Sequence, residues 1–159
     1  MDIVTDVESL YRREFPRLVR ALGCVYDVDI AADAVQEAFI EADRHWRRIS
    51  RYDDPTAWVR RVAINRARNV RRTIRRRQEI VGAIKMVAPD DLTDELIDLR
   101  RALGGLPERM RLTVCLHYLA GFSVKEVAEL LDVAEGTVKS NLSDARKRLR
   151  TVLVEDPHA

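Results

Sequence analysis

The chain has 159 residues, 47% of them hydrophobic and 34% charged, a length that suits one medium domain or two small ones and a composition that excludes disorder. No apolar run approaches the ~20 residues that cross a bilayer, and Asp2, Asp6, Glu8 and Glu14 occupy the place of a signal-peptide core, so neither membrane insertion nor export is expected and the cytoplasm is the expected location. The net charge of +2 hides opposed blocks: residues 1–43 are acidic, whereas residues 44–77 carry thirteen Arg against only Asp53 and Asp54.

In chain order, the first predicted helix opens on a capping box, Thr5-x-x-Glu8, and aligns Val7, Leu10, Tyr11, Phe15, Leu18 and Leu22 before Gly23. Pro16 inside it predicts a kink or a restart, because proline removes one ladder bond. A second helix spans about Asp29 to Trp46, with Val35, Ala38, Phe39, Ala42 and Trp46 inward and Asp33, Gln36, Glu37 and Glu41 on its other face. The third is long, with Asp54 as N-cap, Pro55 at its first position and a run through Trp58, Val62, Val70 and Ile74 into Arg75-Arg76-Arg77. Its arginines, interleaved with Trp46, Tyr52 and Trp58, make a cationic surface with flat rings, the mixture that suits nucleic acid. Arginines all around the helix leave no wide apolar face for a membrane surface.

Residues 81–92, with Gly82 and Pro89, read as a linker between domains at 1–80 and 93–159. Leu92, Leu96, Leu99 and Leu103 then form a short amphipathic helix stopped by Gly104-Gly105. Pro107 starts another that places Met110, Val114 and Tyr118 together and ends at Gly121. Ser123-x-x-Glu126 is a capping box for a short helix with Val124, Val127, Ala128 and Leu131 inward. After a tight turn at Asp132-Val133-Ala134, a last helix turns Val138, Leu142, Ala145 and Leu149 inward. No alternating strand pattern occurs, so the expected fold is all-α.

Two short helices joined by a three-residue turn are the helix-turn-helix unit, whose second helix enters the major groove. An ordinary helical hairpin shows the same pattern. Here the outer face of the second helix is small and polar, with Thr137, Lys139, Ser140, Asn141, Ser143, Asp144 and Arg146, and Lys147, Arg148 and Arg150 follow, which favours DNA. Cys24 and Cys115 have no Cys-x-x-Cys spacing and the three His are not clustered, so no metal, cofactor, small-molecule substrate or catalytic constellation is expected, and the chain is not read as an enzyme.

Three stretches together resemble the extracytoplasmic-function sigma factors of bacterial RNA polymerase. Leu106-Pro107-Glu108-Arg109, His117 through Ser123, Glu126 through Leu131 and Gly136 through Ser140 resemble region four. Asp33 through Phe39 resembles the region-two helix that docks on polymerase, and Pro55 through Val59 with Val62 through Asn69 resembles the promoter-melting segment. The resemblance implies a sigma region-two domain, a linker and a region-four domain, with core RNA polymerase, duplex and single-stranded promoter DNA and an anti-sigma protein as partners. By resemblance, Asp33, Gln36 and Glu37 face polymerase, and Arg51, Tyr52, Trp58, Asn65, Arg66 and Asn69 serve the minus-ten element. Thr137, Lys139, Ser140, Asn141, Ser143 and Arg146 serve the minus-thirty-five element. The sequence departs from the family pattern at Asn141 and Asp144, often arginine in relatives, which predicts weaker or altered upstream recognition, and at Ala134, commonly a Ser cap. Trp58 suits a core position as well as a stacking one. The rival function is a stand-alone helix-turn-helix regulator that binds duplex DNA as a homodimer.

Overall fold

The computed structural model describes residues 6–81 and 94–155, excepting the side chains of residues 81, 94–96 and 152–155. The described residues are helical with no strand, and the chain divides into two compact units, Met1–Val87 and Ala88–Ala159. The expected linker falls largely outside the described residues, as does Thr5.

The first unit contains α1 (Val7–Val25), α2 (Val28–Arg44), the short α3 (Trp46–Ile49) and α4 (Pro55–Val81). Each long helix starts on an aspartate. Asp6 rather than the expected Thr5 caps α1, with Oδ1 accepting from the Ser9 N–H at 2.7 Å. That backbone hydrogen bond, helped by the Ser9 hydroxyl, holds the Asp6 carboxyl below its ordinary range, so the cap's contribution is full above that range and is lost as pH falls below it, through the lowered value. Asp27 accepts from Asp29 N and Ile30 N to start α2, and Asp54 accepts from Ala57 N at 2.9 Å ahead of Pro55, as predicted. Helix α1 runs through Pro16 as one element, so no restart occurs there.

Helices α1, α2 and α4 pack around Leu10, Leu18, Leu22, Val35, Phe39, Val59 and Ile64. The buried stripe of α1 differs from the predicted one. Leu10, Glu14 and Leu18 point inward, and Tyr11 and Phe15 are half-buried beside them, stacked at 4.7 Å, with the Phe39 ring edge-on to Tyr11. Glu14 is 0% exposed and meets Arg60 of α4, 8% exposed, in a two-point ion pair: Arg60 Nε to Oε2 at 2.8 Å and Nη2 to Oε1 at 3.0 Å. Arg13 and Arg17 approach Oε1 from the surface.

The second unit contains α5 (Asp94–Leu103), α6 (Glu108–Val114), a π-helical turn (Cys115–Leu119), α7 (Val124–Leu131) and α8 (Glu135–Glu155). Gly104 N–H caps α5 on the Arg100 carbonyl at 2.9 Å. Ser123 and Glu126 form the predicted capping box, with Glu126 N to Ser123 Oγ at 3.1 Å and Ser123 N to Glu126 Oε1 at 3.0 Å. Phe122, 0% exposed, anchors a core with Leu112, Leu116, Val127, Val138 and Leu142.

Tyr118 corrects the prediction that grouped it with Met110 and Val114. The stretch closes on a π-turn, where Ala120 N–H bonds the Cys115 carbonyl at 3.1 Å, and its inward side is held by Leu112, Thr113, Leu116 and Ala120, roughly opposite position 118 on the helix. Tyr118 emerges 52% exposed while Ala120 and Phe122 take the buried places. Gly121, at φ 76°, supplies the left-handed residue that ends this segment, as predicted.

Asp132 turns left-handed at φ 54° to close α7, and Val133 N–H bonds the Ala128 carbonyl. Ala134 then stands immediately before α8 and has no side-chain oxygen to offer its first N–H groups. Ala134→Ser is therefore expected to stabilise the second unit by ~1 kcal/mol, read as a thermal midpoint about 4–8 °C higher.

Candidate nucleic-acid interface

In the first unit α4 presents Val59, Ala63, Ile64 and Ala67 to the core. Trp58, Arg61, Asn65, Asn69, Arg72 and Arg76 recur at the helical repeat on the opposite side, along one stripe. All of them are exposed except Trp58, which is half-buried and so lies at the surface edge of the unit. Its ring stands 6.5 Å from that of Tyr52, tilted by 58°. Tyr52 belongs to the exposed segment between α3 and α4, which Ile49, fully buried, pins at one end and Asp54 and Pro55 at the other. Arg51 is exposed on the same segment. The structure thus brings Arg51, Tyr52, Trp58, Asn65 and Asn69 to one side of the unit's surface, with flat rings at the head of a basic, amide-bearing stripe. Rings that stack and guanidinium groups that meet phosphate are the chemistry of single-strand binding.

Arg66 stands apart from that stripe. It reaches α2, where Nη1 lies 3.5 Å from Glu37 and Nη2 is 2.5 Å from Glu41, so it ties the two helices together. Sequence periodicity gave no sign of this brace, because Glu41 and Glu37 lie 25 and 29 positions from Arg66.

Helix α2 turns Asp33, Gln36 and Glu37 to solvent with Ile40 beside them. The Tyr11 hydroxyl donates to Gln36 Oε1 at 3.3 Å. Next to this patch lies an open groove of about 310 Å³ lined by Val7, Tyr11, Phe39 and Ile40 together with Glu8, Gln36, Asp43 and Arg44. Across patch and groove the carboxylates outnumber Arg44 and stand beside apolar side chains, which fits a basic amphipathic partner helix.

In the second unit the turn at Asp132 sets α7 and α8 as a helix-turn-helix pair. Val138, Leu142 and Ala145 bury one side of α8, and Leu149, expected inward, is half-exposed. Two outer stripes flank that side. Lys139, Ser143, Arg146 and Arg150 form a basic one, whereas Thr137, Asn141, Asp144 and Arg148 form one without net charge. Ser140 and Lys147 lie between the two, opposite the core. Thr137, Lys139, Ser140 and Arg146 are exposed, and Asn141 and Ser143 half-exposed. Arg146 Nη1 donates to the Tyr118 hydroxyl at 2.8 Å, a contact the sequence prediction missed.

Among the described residues no group of three or more His, Cys, Asp and Glu side chains is placed to hold a metal ion, and no helix is long and apolar enough to cross a membrane.

Comparison with known proteins places this geometry. Residues 10–78 match the Sigma-70 region 2 family model, and residues 96–149 match that of Sigma-70, region 4. The ECF RNA polymerase sigma-E factor of Escherichia coli K12 is 32% identical over 137 residues, covering 74% of this chain and 70% of that protein. The ECF RNA polymerase sigma factor SigM of Mycobacterium tuberculosis H37Rv is 32% identical over 152 residues, covering 92% and 76%. Among solved structures, CnrH in complex with the cytosolic domain of CnrY aligns with a TM-score of 0.68 at 25% identity, over 94% of this chain and 88% of that one. The sigma factor RpoE in complex with the anti-sigma factor NepR from Bartonella quintana shares the fold, with a TM-score of 0.75 at 23% identity over 94% and 97%.

Proposed function

Because the chain belongs to the extracytoplasmic-function RNA polymerase sigma factors, we propose that its two helical units divide promoter recognition between them, the first opening the minus-ten element and the second holding the minus-thirty-five element. The protein directs transcription initiation in company with core RNA polymerase and promoter DNA. The observation that carries the division of labour is the placement of two unlike exposed surfaces on the first unit, acidic on α2 and basic with amides on α4, beside a helix-turn-helix in the second.

On this proposal Asp33, Gln36 and Glu37 dock on a basic element of the polymerase, with the neighbouring groove taking apolar side chains. The segment from Ile49 to Asp54 holds a base flipped from the minus-ten element. Flipping costs a few kcal/mol of stacking, offset by Tyr52 and Trp58 and by cationic contacts from the arginines. Asn65 and Asn69 contact the exposed strand. Arg66 acts mainly by fixing α4 against α2, because Glu37 and Glu41 already hold its guanidinium. In the second unit Lys139, Ser140 and Ser143 read the upstream duplex, with Thr137 and Asn141 on the flanking stripe. Asp144 on that stripe repels phosphate and weakens upstream binding relative to an arginine there.

The domains run over 1–80 and 93–159 with a tether at 81–92. Each unit alone binds DNA modestly, and polymerase makes the two contacts act as one bivalent site. The protein has no catalytic step of its own and works in the cytoplasm, where polymerase is. An anti-sigma protein that covers the polymerase-docking face of α2 and the DNA-reading face of α8 keeps it inactive; one solved relative is in complex with an anti-sigma factor. A homodimeric regulator would leave the α2 patch and the α4 stripe without a task.

The test is transcription with core polymerase on a promoter library. Asn65→Ala is expected to lose strand opening or minus-ten choice while still binding polymerase, and Lys139→Ala to weaken binding to the upstream duplex while leaving opening intact. Two variants that transcribe like the parent would overturn these residue assignments.

A further inference from the structure

We infer that Tyr118 and Arg146 together form a clamp for a single backbone phosphate of duplex DNA, built half from the π-helical turn and half from α8. The inference rests on the assignment of α8 to the upstream duplex proposed above, and it goes beyond it in naming a residue outside the helix-turn-helix and the class of group it binds.

The geometry has three parts. The π-turn carries a tyrosine, 52% exposed, that meets Arg146 on the side of α8 bearing the basic stripe. Its hydroxyl accepts from Arg146 Nη1 at 2.8 Å through a lone pair, so the O–H proton is still available for an acceptor, as are the other guanidinium donors. The ring is also held in place: His117 stands edge-on at 4.8 Å, and His117 Nδ1 lies 2.7 Å from the carbonyl oxygen of Phe122, the fully buried anchor of the unit. A phosphodiester offers two unbridged oxygens, one for the guanidinium and one for the phenol.

Position along the helix decides between phosphate and base. At 1.5 Å per residue, Lys139, Ser140 and Ser143 lie about 6–12 Å from the start of α8, within a major groove about 12 Å wide. Arg146 lies about 17 Å along, where a helix entering by its N-terminus has crossed to the groove wall. A contact there fixes the register of the helix and reads no sequence.

The test uses holoenzyme assembled from bacterial core polymerase and the full chain, on a promoter selected by the parent from a random duplex library. Tyr118→Phe is expected to weaken upstream binding by about tenfold, equally for every minus-thirty-five sequence, with an unchanged dependence on salt because no charge is lost. Arg146→Ala is expected to weaken it further and to lower the salt slope by about one. In the Arg146→Ala background Tyr118→Phe should then cost under about twofold, since the pair acts as a unit. Arg146→Lys, which keeps the charge and leaves the Tyr118 site intact, should reproduce most of the Tyr118→Phe loss. The clamp is overturned if Tyr118→Phe binds like the parent, if its effect multiplies undiminished with Arg146→Ala, or if the loss is confined to particular upstream sequences. Failure of the parent to select any promoter would instead remove the assignment on which the clamp stands.

Discussion

Glu14→Ala is expected to cost the first unit about 3–5 kcal/mol, the range for removing one partner of a buried ion pair. Arg60 is 8% exposed and cannot rehydrate without opening the packing of α1 on α4, whereas Arg13 and Arg17 sit nearer the surface and swing into water at little cost. A domain of this size is stable by roughly 4–10 kcal/mol, so the variant should be close to unfolding at 37 °C. Replacing both partners, Glu14→Leu with Arg60→Met, is expected to return most of the loss, because apolar packing of similar volume needs no desolvation of charge. Urea unfolding followed by circular dichroism measures both. A Glu14→Ala loss under about 1 kcal/mol would show that the pair contributes no more than a surface one.

Phe122→Ala is expected to destabilise the second unit by about 3–5 kcal/mol, the range for emptying a large aromatic site in a packed core. The residue is 0% exposed, its N–H reaches the Leu116 carbonyl at 3.1 Å, and its own carbonyl holds His117. The alanine variant keeps both main-chain bonds, so the loss comes from the emptied core beneath them, and upstream DNA binding should fall at temperatures where the first unit is still folded. Separate unfolding transitions with only the second displaced, alongside duplex binding by the same sample, check this. A variant that melts with the parent would mean that the surrounding leucines close over the cavity.

Much of the architecture is written locally in the chain. Asp54 before Pro55, the Ser123 and Glu126 box, Gly121 and the turn at Asp132 each act within four residues, and each stands where spacing predicts. The departures share a different cause: the deciding partner is remote, or other side chains take the inward place. Glu14 lies in phase with Leu10 and Leu18, but a carboxylate at an inward position looks polar until Arg60, 46 residues on, is brought against it. Arg66 belongs to a basic run by sequence and to Glu37 and Glu41 by packing. Tyr118 follows Met110 and Val114 at an α-helical interval, but Leu112, Leu116 and Ala120 hold the inward side of this stretch and leave it outward, against Arg146. Asp6 and Thr5 are both sound caps by composition, and one residue of offset separates the predicted helix start from the observed one. Of the candidate interface, the exposed faces of α2, α4 and α8 were legible from helical periodicity. The cross-helix contacts that restrain Arg66 and Arg146 were not, since periodicity describes one helix at a time.

These two helical units become promoter-selective when core polymerase holds them. The decisive measurement is run-off transcription with purified core polymerase, with and without the full chain, on a random promoter library. Transcripts are expected to depend on the added chain and to start downstream of a common pair of spaced elements. Tight binding of duplex DNA by a dimer of the chain, with no chain-dependent transcript from polymerase, would contradict it.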